Sequence, residues 1–478
     1  MAVMMRILAG FAAALLFAVA VAVAQVPIGA VPPPPKWQAW LQGQPIELID
    51  GKRPACTLFA FYTPPRAPGL FAAEGDYLAE LQQRFAARGL EVVAVVAEQQ
   101  PAPLERWPQC RVVVDAELAT TVAWFADLED TARVMLLDRT GKVAFQGALE
   151  SGLVDAVECV LAGKELAGFG FAAMQRAEQL VNYQDATTAS IAGVEQALGY
   201  VPHDGVLFGF LYLLHAVKAE DVPAAKAVVQ RGIAALAGEA RPLAAFADLV
   251  MRGDPGRVDL LAELRAPLQA AAKRASHDPA VQLAMLRLLV QVGDGREAGR
   301  QAMRMRKVAM GTVDDCLDFA SVLTLDREPL VHRDLAMLAV QQAEALGGTG
   351  RFVTAARYAV ARRCANDADG ARRLLDEYVA VKVDGSTLNN DCWYLMTEVP
   401  TMGRFGVFAA GLAELMLADR EAMDAAEFDT AALAMFQNGR AAEAVELQET
   451  ALLRDANGNP EYARRLARYR TAAASPVR

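Results

Sequence analysis

The sequence contains no Cys-x-x-Cys pair. Its six cysteines, Cys56, Cys110, Cys159, Cys316, Cys364 and Cys392, are scattered without metal-ligand spacing, so neither a dithiol motif nor a zinc cluster is encoded. Histidine is equally scarce: there are four, and His203 is the first. The preceding stretch therefore has no imidazole to serve as a general base. Basic runs are missing as well, and the net charge is −10. Phosphate backbones are held by clustered Lys and Arg, so nucleic acid is not expected as a partner. No phosphate loop and no hydrolase constellation occurs. No catalytic residue, metal site or cofactor is assigned.

The chain has 478 residues, 54% of them hydrophobic and 22% charged, which is a globular composition with core enough for two or three domains. Its start reads as an export signal over residues 1–24. Arg6 is the only charge before an apolar run from Ile7 to Val23, and Ala22-Val23-Ala24 fits the small-x-small rule for cleavage after Ala24. An uncleaved anchor is the alternative, because no further charge appears until Lys36. Cleavage implies a periplasmic or secreted protein with no membrane attachment. Residues 25–35, with Pro27 and Pro32 to Pro35, read as a stiff Pro-rich linker. Export permits disulfides, and one within the helical half is allowed; the other reading of the cysteines is as small buried hydrophobes.

Between residues 36 and 167 the pattern alternates strand and helix. Leu58 to Tyr62 is an apolar strand, followed by a helix with Leu70, Phe71, Tyr77, Leu78, Leu81 and Phe85 on one face and Gly89 as its cap. Glu91 to Ala97 is a continuous apolar run suited to a parallel strand covered on both faces. Val112 to Asp115 precedes a helix near Leu118 to Phe125. Val134 to Leu137 and Val143 to Phe145 flank a turn at Asp138 to Lys142, and a last helix is expected from about Leu149 to Leu161.

These pieces, in this order, resemble the thioredoxin-like family of redoxins and peroxiredoxins. Gly51-Lys52, Val113 to Asp115, Met135 to Val143 and Ala162 to Lys164 are similar to stretches of that family. Thr63-Pro64-Pro65-Arg66 after Tyr62 is similar to its active-site loop, in which Trp-Cys-Pro-Pro-Cys-Arg is expected. The resemblance implies a thiolate at a helix start. Here Tyr62 and Thr63 take the Trp and Cys positions and Arg66 the second Cys position. The family's cis-proline aligns near Ala132, which is followed by Arg133. As a peroxiredoxin the chain departs equally, since Arg66 takes the place of the peroxidatic Cys. Thr63 and Arg66 at a helix start are compatible with a degenerate anion or peptide site.

From Ala172 onward strand signals vanish and amphipathic helices follow one another. Ala298, Ala336, Ala371, Ala409 and Ala444 recur at steps of 38, 35, 38 and 35 residues, each opening the apolar face of a second helix. Trp393 and Phe428, 35 apart, fall on the preceding helices. The region 170–478 resembles the tetratricopeptide repeat, best over 385–455, where Ala432, Gly439, Ala444 and Ala451 take its small-residue positions. Upstream, between about 172 and 270, the register is unclear and Pro267 interrupts a helix. The repeat implies a groove for a protein or peptide partner, into which Asp391, Tyr394, Glu398, Asp429 and Gln437 would point; the alternative for each is a solvated helix face.

The expected architecture is an α/β thioredoxin-like domain followed by an all-α repeat region. The expected function is an exported, redox-inactive interaction platform. The alternative is a thiol-disulfide oxidoreductase or peroxiredoxin-like enzyme with displaced chemistry at Cys56 or Cys110.

Overall fold

The computed structural model describes residues 26–48, 53–62, 68–97, 110–125, 133–147, 149, 152–164, 188–219, 221–253, 258–308, 310, 312–325, 333–381, 388–398 and 401–474. These form two compact units, one drawn from 1–64, 81–148 and 156–166, the other from 65–80, 149–155 and the chain from 167 on. The export signal and the expected junction at 167–170 lie outside the described residues.

The first unit is built on a six-stranded sheet in the order β1-β4-β3-β2-β5-β6. The strands are β1 (Ala39–Gln42), β2 (Cys56–Tyr62), β3 (Leu90–Val96), β4 (Arg111–Val114), β5 (Arg133–Asp138) and β6 (Val143–Gly147). β2, β3 and β4 run parallel, while β5 pairs antiparallel with both β2 and β6. This is the thioredoxin-like α/β arrangement. All of β2 is buried, and only Glu91 of β3 is not, as central strands covered on both faces require. Phe59 and Phe61 pack edge-to-face against Trp124, and Phe61 likewise against Phe125, on one face of the sheet.

Among the described residues three helices accompany the sheet: α1 (Pro68–Phe85), α2 (Ala119–Trp124) and α3 (Leu153–Leu161). A 3₁₀ turn prolongs α1, and Gly89 ends it at φ 99, a left-handed backbone that glycine adopts at least cost. Gln82 ties α1 to β3, its amide donating to the Leu90 carbonyl at 2.9 Å and its oxygen accepting from Val92 N–H at 2.6 Å. Asp115, fully buried, accepts from the N–H groups of Thr120 and Thr121 and from the Thr121 hydroxyl, which caps α2. Two residues inside that capped turn, Glu117 and Leu118, hold positive φ. α3 begins four residues later than Leu149.

Residues 26–38 are docked on this unit and do not form a free linker. Val26 N–H donates to the Trp124 carbonyl, Gly29 N–H to Val143, and Gln38 N–H to Val114, while Val143 N–H donates back to Ala30. The Trp124 indole donates to Pro33 O at 2.9 Å. The stretch both donates and accepts: its N–H groups at Val26, Gly29 and Gln38 find carbonyls of the first unit, and its carbonyls at Ala30 and Pro33 find donors there.

The second unit is helical. Its helices are α4 (Thr188–Tyr200), α5 (Gly205–Leu213), α6 (Val222–Leu236), α7 (Ala240–Gly253), α8 (Val258–Arg274), α9 (Pro279–Gln291), α10 (Gly295–Met305), α11 (Val313–Leu325) and α12 (Arg333–Ala345). α13 (Arg351–Ala359), α14 (Ala368–Val381), α15 (Leu388–Thr397), α16 (Gly406–Met416), α17 (Ala425–Gln437), α18 (Ala441–Arg454) and α19 (Pro460–Ala474) complete it. Alternate helices α5, α7, α9, α11 and α13 pack side by side. The periodic alanines Ala298, Ala336, Ala371, Ala409 and Ala444 are each the fourth residue of α10, α12, α14, α16 and α18, and all are at most 2% exposed. A methyl group there lets paired helices approach closely.

One local reading is corrected. Pro267 lies inside an unbroken α8. Proline inside a helix costs about 3 kcal/mol, while Leu260, Leu261, Leu264 and Leu268 are each at most 1% exposed and contribute about 1.5–3 kcal/mol apiece, so packing wins. The first helix of the best repeat starts at Ala425, four residues before Asp429, where Asp424 and Glu427 form a capping box. Trp393 on α15 and Phe428 on α17 fall on the helices that precede α16 and α18, as expected, Trp393 half-buried and Phe428 buried. The core falls into two apolar clusters, one spanning α4 to α13 and one spanning α13 to α19.

Candidate functional site

In the first unit the loop expected to carry chemistry, Thr63, Pro64, Pro65 and Arg66, lies outside the described residues, as does Ala132. The strand register brings its flanks together: Phe61 pairs with Arg133, so the end of β2 and the start of β5 share one edge of the sheet. Cys56 sits at the other end of β2, paired with Leu90 and Asp138. Six residues of strand at about 3.3 Å each separate it from Tyr62 by roughly 20 Å.

Neither displaced-nucleophile candidate is chemically prepared. Cys56 is fully buried and Cys110 is 4% exposed. Burial, with the Asp138 carboxylate adding to it, pushes the Cys56 thiol up to about 12. Burial alone pushes Cys110 up to about 12. A nucleophilic cysteine needs the opposite, a lowered pKa and access to substrate. Cys159 is half-buried on α3, and Cys56, Cys110, Cys316 and Cys392 are buried free thiols.

In the helical unit four of the five expected groove residues, Asp391, Tyr394, Asp429 and Gln437, contact other helices, and Glu398 ends its own. Asp391, 9% exposed, accepts from the Tyr378 hydroxyl at 2.8 Å. Asp429, 3% exposed, accepts from the Gln448 amide at 2.8 Å and from the Arg465 guanidinium. The Tyr394 ring lies under the Arg351 guanidinium at 4.3 Å. Gln437 donates to the Met396 carbonyl at 3.3 Å, and the Glu398 carbonyl accepts from Thr401 and Met402 N–H. Among the described residues no group of three His, Cys, Asp or Glu side chains is placed to hold a metal ion, and no helix is long and apolar enough to cross a membrane. His203 faces Asp155 at 2.5 Å, and His332 lies outside the described residues.

A different constellation is assembled where α7, α9 and α11 lie side by side. Arg287 of α9, 1% exposed, contacts Asp248 of α7 at 2.9 Å and Asp318 of α11 at 3.6 Å. Arg252 contacts Asp248 at 2.8 Å, and Arg404, from the segment before α16, contacts Asp318 at 2.5 Å. Burial would raise the Asp318 pKa, but the guanidinium groups of Arg404, Arg287 and Arg252 outweigh it and hold the carboxyl below its usual range. Burial lowers Arg252, whereas Asp318 and Asp314 outweigh burial at Arg404 and raise it. Each charge is paired, as buried charges must be. Sequence reasoning missed this cluster because isolated Arg and Asp residues on amphipathic helices look like solvated surface.

No protein-family model matches the chain, and no curated protein is significantly similar to it. Solved structures give distant likenesses. An uncharacterized conserved protein from Geobacillus kaustophilus is 19% identical, the alignment covering 30% of this chain and 86% of that one, with a TM-score of 0.26. The bacterioferritin comigratory protein of Xanthomonas campestris, described for alkyl peroxide reduction, is 18% identical over 23% of this chain and 76% of its own, with a TM-score of 0.19. The TPR domain of P58(IPK) is 10% identical over 64% of this chain and 98% of its own, with a TM-score of 0.17. At such scores these likenesses bear on neither site nor activity.

Proposed function

We propose that the protein is an exported interaction protein in which a thioredoxin-like unit carries out no thiol chemistry and a helical-repeat unit holds a protein or peptide partner. The observation that carries this reading is the state of Cys56 and Cys110: buried, neutral, and, for Cys56, at the wrong end of the strand. Thr63 and Arg66 in the positions of the family's cysteine pair add to it, since a threonine hydroxyl without a base is no substitute for a thiolate. The ladder of buried alanines supports a repeat array, and arrays of this kind present extended binding surfaces. The signal pattern over residues 1–24 supports a periplasmic or secreted location, with Gln25 as the mature start.

The test is catalytic. Purified protein is assayed for reduction of insulin disulfides and for hydroperoxide consumption, beside the Cys56→Ala/Cys110→Ala double variant. Equal, background-level rates are expected. Turnover by the wild-type chain that the double variant lacks would establish displaced thiol chemistry instead. N-terminal sequencing of protein recovered from the cell envelope checks export, and a start at Met1 would refute cleavage.

A further inference from the structure

Eight residues, 398–405, separate α15 from α16. Met402, Gly403 and Arg404 lie against α7, α9 and α11, and Phe405 against α13, each held differently. Thr401 closes a turn on its own helix through its hydroxyl, which donates to the Tyr394 carbonyl at 2.8 Å. Met402, 8% exposed, joins the apolar cluster of α4 to α13. Gly403 has φ 72, and a Cβ there would meet Arg252 Cβ at 2.9 Å and its Cα at 3.0 Å, so only glycine fits. Its carbonyl accepts from Arg287 Nη1 at 3.4 Å. Arg404 reaches Asp318 at 2.5 Å and Asp314 at 3.3 Å, and its carbonyl accepts from the Ser321 hydroxyl. Phe405 stacks on Phe352 with ring centroids 5.2 Å apart and planes at 11°.

This is the way a protein holds a peptide. Two successive main-chain carbonyls are bound by side chains from two helices, a glycine allows close approach, and side chains on either side enter separate environments. Packing between helices uses side-chain ridges and grooves and leaves main-chain carbonyls inside their own helices. The charges are divided accordingly. Asp248 is taken by Arg252 and Arg287, both within 3.0 Å, whereas the near partner of Asp318 is Arg404, with Arg287 further off at 3.6 Å. One carboxylate is thus set aside for the arginine of the segment.

We infer that the face formed by α7, α9, α11 and Phe352 of α13 is a binding site for a peptide segment of the form apolar-Gly-Arg-aromatic, filled in the resting protein by its own residues 402–405. The inference rests on the interaction reading above and names the surface and the chemistry of that partner. A partner segment must compete with a tethered occupant whose effective concentration is in the millimolar range, so binding in trans is weak until the internal segment yields.

The probe is a fluorescent synthetic peptide, Pro-Thr-Met-Gly-Arg-Phe-Gly, added to the full chain. The Arg404→Ala variant is expected to bind it at least about tenfold more tightly than wild type. An Ala-for-Arg peptide, or addition of Asp318→Asn to the variant, is expected to abolish the gain. A folded Arg404→Ala variant with no gain overturns the proposal. Hydrogen exchange on the wild-type chain gives a second readout independent of any variant. The amides of Thr401, Met402 and Arg404 are all hydrogen-bonded. They are expected to exchange at least about tenfold faster than those of α9 and α11, through local opening. Exchange in step with α9 makes the segment a permanent part of the core and overturns the proposal. Either failure removes this site and leaves the interaction reading intact, since that reading falls only on redox turnover.

Discussion

Cys56 pairs with Asp138 across the β2–β5 ladder, so a carboxylate stands beside a thiol that has no contact with solvent. Both the charge and the burial favour the protonated thiol. Cys110, Cys316 and Cys392 are also pushed up to about 12, chiefly by burial. At pH 8 a thiol of pKa about 12 is ionised roughly a thousandfold less than one of pKa about 9. Alkylation of the native chain mapped by mass spectrometry is therefore expected to leave these four unmodified over minutes, while denatured protein modifies all six. Rapid labelling of Cys56 or Cys110 would contradict the burial described here.

The same thiols set an alkaline limit on stability. Their pKa values rise on folding from 9.0 to about 12, so the native state retains protons that the unfolded chain releases. Their contribution is whole below pH 9 and is lost as the pH climbs toward 12. Thermal midpoints measured from pH 8 to 11 are expected to fall, and Cys56→Ala is expected to reduce the slope.

Asp115 holds the turn in which Glu117 and Leu118 adopt left-handed backbone. Asp115→Ala leaves two buried N–H groups and one hydroxyl without their acceptor and is expected to cost about 2–3 kcal/mol. Urea unfolding followed by the fluorescence of Trp124, at the end of the helix that Asp115 caps, measures it. Asp115→Asn is expected to cost less, because one acceptor oxygen remains.

Gly205 begins α5 beneath α7. A Cβ added there would lie 1.8 Å from the Pro242 carbonyl oxygen, a backbone atom that cannot swing aside. Gly205→Ala is expected to destabilise the helical unit by about 2–4 kcal/mol, whereas Gly238→Ala, which meets nothing within 4 Å, is expected to be neutral within about 0.5 kcal/mol. Helical circular dichroism on heating separates the two.

Arg287 joins two carboxylates on different helices while almost fully buried. Arg287→Ala leaves Asp248 and Asp318 short of a partner in a poorly solvated place, and a loss of about 3–5 kcal/mol is expected. The loss is expected to change little between low and high salt, unlike that of an exposed pair such as Arg372 and Asp376. Denaturation at two ionic strengths checks both statements.

The sheet was legible because its strands obey simple rules. A run such as Glu91 to Val96 has no polar face to expose, and Gly141 at φ 79 closes the hairpin where Asp138 to Lys142 predicts a turn. The alanine ladder was legible because close helix packing admits no larger side chain. Pro267 misled, since the propensity of one residue is outweighed by four leucines on the same helix. The Pro-rich stretch misled in the same way: its composition predicts stiffness, but not that Val143, Val114 and Trp124 would offer partners to it. The Arg–Asp cluster was illegible for a deeper reason. Its members, Asp248, Arg287, Asp318 and Arg404, come from four separated places in the chain, and nothing local distinguishes a buried arginine from a solvated one.

The docked stretch at the start of the described chain has a consequence in time. The amide of Gln146 donates to the carbonyl of Val26 across 120 positions. The ribosome makes Val26 long before β6, so this opening stretch has to wait for a sheet that does not yet exist. The bond between the earliest part of the described chain and β6 thus cannot close until residues 143–147 have been made.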